Sequence, residues 1–170
     1  MSFEYEYEYE YQRCLEKLKW AIQKLEVEVQ SEKLAEIAEL IVQPMMSPWR
    51  YFHTPDHIFE VGGSQDAIEV LAALFHDLVY LQIDRSVNFN LSYYITPYIK
   101  EVQGRLKIRE KNELPKDRNF EITASVFGFV SGQVLLPFGG QNEFMSAVVA
   151  IKVMETFLTT KQIVKSTTSE

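Results

Sequence analysis

The feature that most constrains the fold is the segment from Ala67 to Phe75, in which Glu69 is the only polar residue. A surface helix keeps a polar face, so a helix that is apolar almost all round belongs in the centre of a protein. The segment is also far shorter than the roughly 20 apolar residues that cross a bilayer. It therefore predicts a buried central helix that other helices surround.

Helical periodicity recurs along most of the chain. Apolar residues three and four positions apart predict further helices over residues 11–29, 31–43, 54–61, 88–102, 120–130 and 141–157. Pro97 predicts a kink or a break in the fourth of these, because proline has no N–H for the helical ladder. Convincing strand patterns are confined to short stretches such as Gln133 to Leu136. We therefore expect an all-α fold, a compact single-domain bundle of six or seven helices.

Length and composition set the expected domain organisation. A chain of 170 residues with 46% apolar residues suits one domain with its own core. We expect the helical domain over residues 11–160. Residues 1–10, in which tyrosine and glutamate alternate, are expected to form a frayed acidic and aromatic arm, and residues 161–170 a polar, frayed tail.

Charge and composition narrow the class of partner. The net charge is −7, and four of these charges come from Glu4, Glu6, Glu8 and Glu10, so the rest of the chain is nearly balanced. A chain without a basic stripe is not expected to take nucleic acid as its main partner. No apolar run approaches the length of a membrane span, so no membrane partner is expected. Cys14 is the only cysteine and no basic, apolar leader opens the chain, which makes the cytoplasm the default location.

The three histidines of the chain lie close together in sequence. His53 and His57 flank a predicted helix start at Pro55, and His76 with Asp77 directly follows the central apolar helix. Burying an unpaired carboxylate is costly, and a cation, a raised pKa or a metal ion relieves the cost. Mixed imidazole and carboxylate ligands suit Mn, Fe, Ni, Co, Zn or Mg. The alternative is an ordinary helix C-terminus, where a histidine favours the helix dipole.

Two sequence segments resemble those of a known family. YFHTPDHI, from Tyr51 to Ile58, and AALFHDLVY, from Ala72 to Tyr80, resemble the HD superfamily of metal-dependent phosphohydrolases. The closest pattern is a branch with His-x-x-x-His followed by His-Asp-x-Val-Tyr. Families of this kind are all-α and hold one or two divalent ions with a histidine, a His-Asp doublet and a distant aspartate. The resemblance covers residues 50–80 of the chain.

The resemblance implies a role for each motif residue. His57 matches the first histidine, His76 and Asp77 match the doublet, and His53 becomes an additional ligand or a residue that supports one. Asp77 is then the catalytic carboxylate, as well as a ligand.

The chain departs from the HD pattern in three ways, one of which is the short interval of nineteen residues between His57 and His76. No aspartate matches the distant one, because Asp117, the only aspartate after Asp84, lies in a segment expected to be an exposed connection. Glu143, near the start of the last helix, is the best-placed carboxylate for that position. Related sequences also carry an acid after the doublet, where this chain has Asn88 and Asn90.

The resemblance implies hydrolysis of a nucleotide or another small phosphate ester. Arg50 and Arg85 lie near motif residues, and a guanidinium suits a phosphate group because its N–H fork matches the phosphate oxygens.

Two other functions fit the same sequence. The departures from the pattern suit an HD-like domain that binds a ligand or regulates another protein without turnover. Alternatively, the aromatic arm with Tyr5, Tyr7, Tyr9 and Tyr11 could pair with another subunit, which would make the chain a helical interaction protein and a homo-oligomer.

Overall fold

The computed structural model describes residues 2–51, 54–61 and 63–168. These residues are mostly helical and include one small two-stranded sheet. The elements are α1 (Phe3–Lys24), α2 (Ser31–Met45), α3 (Pro55–Val61), α4 (Ala67–Phe75), α5 (Leu81–Asp84), α6 (Phe89–Ile95), β1 (Ile99–Val102), β2 (Arg105–Ile108), α7 (Arg118–Val126), α8 (Gln141–Met154) and α9 (Thr160–Thr168). The expectation of a mainly helical fold is confirmed, with a β-hairpin added. In these ranges, no helix is both long enough and apolar enough to cross a bilayer.

Helix α4 is the centre of the core, as its composition predicts. Every residue of α4 except Glu69 is buried, and the helix packs against α1, α3, α8 and α9. The Asp66 side chain caps its N-terminus by accepting hydrogen bonds from the backbone N–H groups of Ile68 and Glu69. The predicted bounds of this helix are correct because one local pattern, an unbroken apolar run, determines both its type and its burial.

Helix α8 is a second buried helix. All its residues except Glu143 and Lys152 are buried, and it packs against α4, α6, α7 and α9. Its buried residues include the polar Asn142 and Ser146. A buried polar side chain needs a hydrogen-bond partner, so these two residues mark a place where α8 contacts exposed backbone groups of another segment.

Residues 3–10, expected to form a frayed arm, are helical instead. The Ser2 hydroxyl accepts a hydrogen bond from the Tyr5 backbone N–H at 3.4 Å and caps α1. Tyr7 and Tyr11 stack one turn apart, with ring centres separated by 6.4 Å. The alternation of tyrosine and glutamate has period two, which conceals these pairs at a spacing of four. The expected polar tail is likewise largely helical, as α9.

The predicted helix over residues 88–102 is wrong in its second half. Helix α6 ends at Ile95, just before Pro97, and the chain then forms β1, which pairs antiparallel with β2. Gln103 and Gly104 form the turn, both with positive φ, as a two-residue hairpin turn requires. The candidate strand from residue 133 to residue 136 forms only an isolated antiparallel bridge, between Val134 and Lys107.

Candidate metal centre

Three of the predicted ligands meet between α3 and the end of α4. His57 Nε2 lies 3.3 Å from Asp77 Oδ2, and His76 Nε2 lies 2.9 Å from the same oxygen. The two imidazole rings are tilted, with centres 5.4 Å apart. One ligand atom from each residue lies within 4.8 Å of the other two. Among the described residues this is the only such group of three or more histidine, cysteine or carboxylate side chains.

Local structure places each of these side chains. Pro55 begins α3, where its missing N–H costs nothing, and His57 follows in the first turn. Helix α4 ends at Phe75, and His76 is its C-cap with helical backbone angles. The Leu78 N–H then donates to the Phe75 carbonyl, which turns the chain and brings Asp77 towards α3.

The distances from the two histidines to Asp77 suit ligands of a single divalent ion. Bonds from such an ion to imidazole nitrogen or carboxylate oxygen are about 2.0–2.2 Å long. Ligands at roughly 90–110° around the ion are then about 3.0–3.5 Å apart. The separations of 3.3 and 2.9 Å from Asp77 Oδ2 lie in or close to this range, so these two contacts need little change to accept an ion.

A backbone hydrogen bond fixes the tautomer of His76. His76 Nδ1 lies 2.6 Å from the Ala73 carbonyl oxygen. A carbonyl can only accept, so Nδ1 carries the hydrogen and Nε2 faces the cluster. Metal-binding histidines almost always donate their second ring N–H to a carbonyl, a carboxylate or water in this way. The Ala73 carbonyl therefore prepares His76 Nε2 as a ligand atom.

The electrostatics of the cluster favour an added positive charge. Burial lowers the pKa of His76, but the hydrogen bonds to Asp77 and to the Ala73 carbonyl outweigh burial and raise the pKa above its ordinary value. The carbonyl end of α4 also faces this cluster, and the negative end of a helix dipole favours a cation. A proton on His76 and a metal ion therefore compete for the same place.

The side chains of the cluster are partly exposed. The side chains of His57, His76 and Asp77 are 37%, 23% and 19% exposed. Each of the three side chains is therefore in partial contact with solvent.

The position of Arg50 differs from the expected phosphate contact. Its side chain is fully buried and pairs with Asp84. It also donates hydrogen bonds to the carbonyl oxygens of Asp77 and Leu78. Arg50 thus contacts the backbone of the ligand segment and is not available to bind phosphate.

Arg85, the other predicted phosphate contact, is exposed. It has a left-handed backbone, with φ of 61°, directly after α5. Together with Trp49, Tyr51 and Gln82 it lines a surface cavity of about 400 Å³.

Neither carboxylate considered for the distant aspartate reaches the cluster. Glu143 is exposed in the first turn of α8 and is not part of the ligand group. Asp117, expected in an exposed connection, is instead the N-cap of α7 and pairs with Lys152 and Tyr98. His53 lies outside the described residues, so its role as a ligand stays a prediction. The described residues supply three ligand atoms.

Two polar residues of α8 that the sequence analysis did not consider hold the segment after the doublet. The Ser146 hydroxyl accepts a hydrogen bond from the Val79 N–H at 3.0 Å, and Asn142 Oδ1 accepts one from the Leu81 N–H at 3.2 Å. The signal was present in the sequence, since these polar residues lie four positions apart, on one face of a helix that is mainly apolar.

Comparison of the chain with models of protein families, with curated proteins and with solved structures finds no match. Inferences about function therefore depend on the residues of the cluster and its surroundings.

Proposed function

We propose that the chain is a metal-dependent phosphohydrolase with an HD-like helical fold, acting on a nucleotide or another small phosphate ester. The observation that carries the proposal is the convergence of His57, His76 and Asp77, each with one ligand atom within 4.8 Å of the other two. The order of these residues along the chain, a histidine followed by a His-Asp doublet, supports the HD-like interpretation. The mainly helical fold is compatible with it.

Each residue of the cluster has a definite task. His57 and His76 present imidazole nitrogens, Asp77 presents a carboxylate oxygen, and the Ala73 carbonyl keeps the His76 proton on Nδ1. A dication held by these atoms would make hydroxide available near neutral pH and offset the charge on a phosphate oxygen. Softness of the ligands does not select among Mn, Fe, Ni, Co, Zn and Mg.

Arg85 is the residue of this chain best suited to bind the substrate phosphate. Its guanidinium is exposed and lines the cavity with Trp49 and Tyr51, two exposed aromatic side chains. An arginine fork can hold two phosphate oxygens, and aromatic rings can stack against a nucleobase. This arrangement supports a nucleotide or a related ester as the substrate class.

Elemental analysis and activity assays test the proposal together. The parent protein and the variants His57→Ala, His76→Ala and Asp77→Ala are purified without a metal-binding tag, and metal content and hydrolysis of a panel of phosphate esters are measured. We expect near-stoichiometric metal and turnover in the parent and loss of both in the three variants. Glu143→Gln is the matched control, because this exposed carboxylate lies outside the cluster. Absence of metal from the parent would refute the proposal.

A second candidate function is an HD-like domain that binds a metal or ligand without turnover. The observation that favours it is that, within the part of the chain that the structure describes, no second carboxylate joins Asp77, since neither Glu143 nor Asp117 reaches the cluster. Stoichiometric metal in the parent without hydrolysis of any ester in the panel would select this function. Homo-oligomer formation and the cytoplasmic location stay predictions.

A further inference from the structure

The most strongly held side chain near the cluster is Arg50. Its side chain has no exposed surface, and each of its five N–H groups has an acceptor. Nε donates to Asp84 Oδ1 at 3.1 Å and Nη2 donates to Asp84 Oδ2 and, at 2.9 Å, to the Leu78 carbonyl. Nη1 donates to the Asp77 carbonyl at 2.6 Å and to Met45 Sδ at 3.1 Å. One planar group therefore connects four residues.

The two carbonyl groups that Arg50 binds lie just beyond α4. The C-cap of α4 is His76, so the carbonyls of Asp77 and Leu78 lie outside the helical ladder, while the Leu78 N–H donates to the Phe75 carbonyl. By binding both carbonyls, the guanidinium fixes two successive peptide planes. The direction of the Asp77 side chain depends on the first of these planes, so Arg50 helps to set where the Asp77 carboxylate lies.

Side chains of helix α8 accept hydrogen bonds from backbone N–H groups of the same segment. Ser146 accepts a hydrogen bond from the Val79 N–H, and Asn142 accepts one from the Leu81 N–H. Arg50 donates hydrogen bonds to the carbonyls of this segment. All three of these polar side chains belong to buried residues. Side chains from two other parts of the chain therefore help to fix the backbone after the His-Asp doublet.

The ion pair of Arg50 and Asp84 is costly to bury, which argues against stability as its only role. Well-packed apolar residues often replace a buried ion pair without loss of stability. An apolar side chain could not bind the carbonyls of Asp77 and Leu78, however. The contribution of the ion pair is therefore to orient the backbone that carries these carbonyls. Asp84 holds the guanidinium through two of its nitrogen atoms and so fixes the plane of the fork.

We propose that Arg50 and Asp84 are positioning residues that hold the Asp77 carboxylate where it can share an ion with His57 and His76. The inference rests on the proposed function, because it assigns the pair a role in metal affinity. Neither residue belongs to the group of candidate ligands.

Calorimetric titration with Mn²⁺ alone tests the inference on metal-free protein prepared without a metal-binding tag. The variants are Arg50→Lys, which keeps the charge and loses the fork, and Asp84→Asn, which keeps the shape and loses the charge. We expect each to raise the Mn²⁺ dissociation constant by about 10- to 100-fold, as is usual when a residue that supports a ligand is changed. Two variants are used so that failure of one to fold leaves the other.

Asp117→Asn is the matched control, because it weakens another partly buried ion pair, with Lys152. Lys152 lies ten residues after Asn142 on α8, or about 15 Å along the helix. Melting temperatures are measured for all variants. The control should lose stability and keep its Mn²⁺ dissociation constant within about twofold.

Each result decides the matter. If the parent binds Mn²⁺ and both variants bind it equally well, the inference is overturned. If the parent binds no Mn²⁺, the titration is repeated with Fe²⁺, Ni²⁺, Co²⁺, Zn²⁺ and Mg²⁺. If it binds none of these ions, the proposed function fails, and the inference is judged by nuclear Overhauser contacts between the His57 and His76 rings in metal-free protein. Those contacts should be present in the parent and the control and lost in the two variants; their retention in both variants would overturn the inference.

Discussion

Asp117→Asn should lower the free energy of unfolding by about 2–4 kcal/mol. Asp117 Oδ2 accepts hydrogen bonds from the Tyr98 hydroxyl at 2.5 Å and from Lys152 Nζ at 2.6 Å, and the side chain is only 12% exposed. The bond from the charged lysine contributes about 1.5–3 kcal/mol and the bond from the tyrosine about 0.5–1.5 kcal/mol. Asparagine caps a helix as well as aspartate does, so the bond from the Phe120 N–H to Oδ1 is expected to survive.

Urea unfolding followed by circular dichroism measures the loss at pH 7. In a chain of 170 residues it corresponds to a fall of roughly 5–15 °C in melting temperature. Tyr98→Phe removes only one of the two donors and should cost about 0.5–1.5 kcal/mol.

The effect of Asp117→Asn should also depend on pH with a definite sign. Burial raises the pKa of Asp117, but the hydrogen bonds from Lys152 and Tyr98 outweigh burial and hold this pKa below its ordinary value. A carboxylate with a depressed folded pKa adds stability above its unfolded pKa, about 3.9, and loses it as pH falls through the folded pKa. The difference between parent and variant should therefore be complete at pH 7 and shrink below about pH 4.

Two results would refute this reasoning. A loss below about 1 kcal/mol would mean that the network of Asp117, Tyr98 and Lys152 is not formed as described. Loss of Mn²⁺ binding in Asp117→Asn would make Asp117 a member of the metal centre, as the distant aspartate of the HD pattern is, and would contradict its place as the cap of α7.

Three further results are expected. The affinity for Mn²⁺ should fall as the pH is lowered from 8 to 6, because the raised pKa of His76 keeps a proton on the ring that the ion must displace. Stronger calorimetric binding at pH 6 would contradict this. Mn²⁺ at a concentration of about 100 times its dissociation constant should stabilise the parent by about 2.7 kcal/mol, measured as a higher melting temperature. An equal rise of the melting temperature in Asp77→Ala would show that the ion binds elsewhere. Leu71→Ala, at a fully buried position of α4, should cost about 2–5 kcal/mol in urea unfolding, and a loss below about 1 kcal/mol would contradict the central position of α4.

Sequence patterns predicted the elements whose signal lies within one element. The apolar run of α4 and the Thr54-Pro55 start of α3 are of this kind, because burial on all sides and capping are both visible in consecutive residues. The hairpin of β1 and β2 was missed because apolar residues from 94 to 99 also fit a helix, and only Pro97 marked the break. Helix α1 was begun too late because the tyrosine alternation resembles a strand.

The candidate site divides in the same way. The His-Asp doublet and His57 could be identified because they lie within a short motif around two helix ends. The roles of Arg50 and Asp84 could not, because their contacts join residues 27 and 34 positions apart. From sequence alone, an arginine beside a motif is expected to be a surface cation, and only the tertiary structure shows that this one is buried.

By itself, the sequence determined that the chain is mainly helical, that one short apolar helix lies at its centre, and that imidazole and carboxylate groups are concentrated at the end of that helix. Those properties follow from periodicity and capping, which act over three or four residues. Only the tertiary structure decided that His57 and His76 meet at one oxygen of Asp77, that Glu143 and Asp117 lie elsewhere, and that Arg50 is buried. The reason is physical: which side chains converge depends on how helices distant in sequence pack, and no local pattern records that packing.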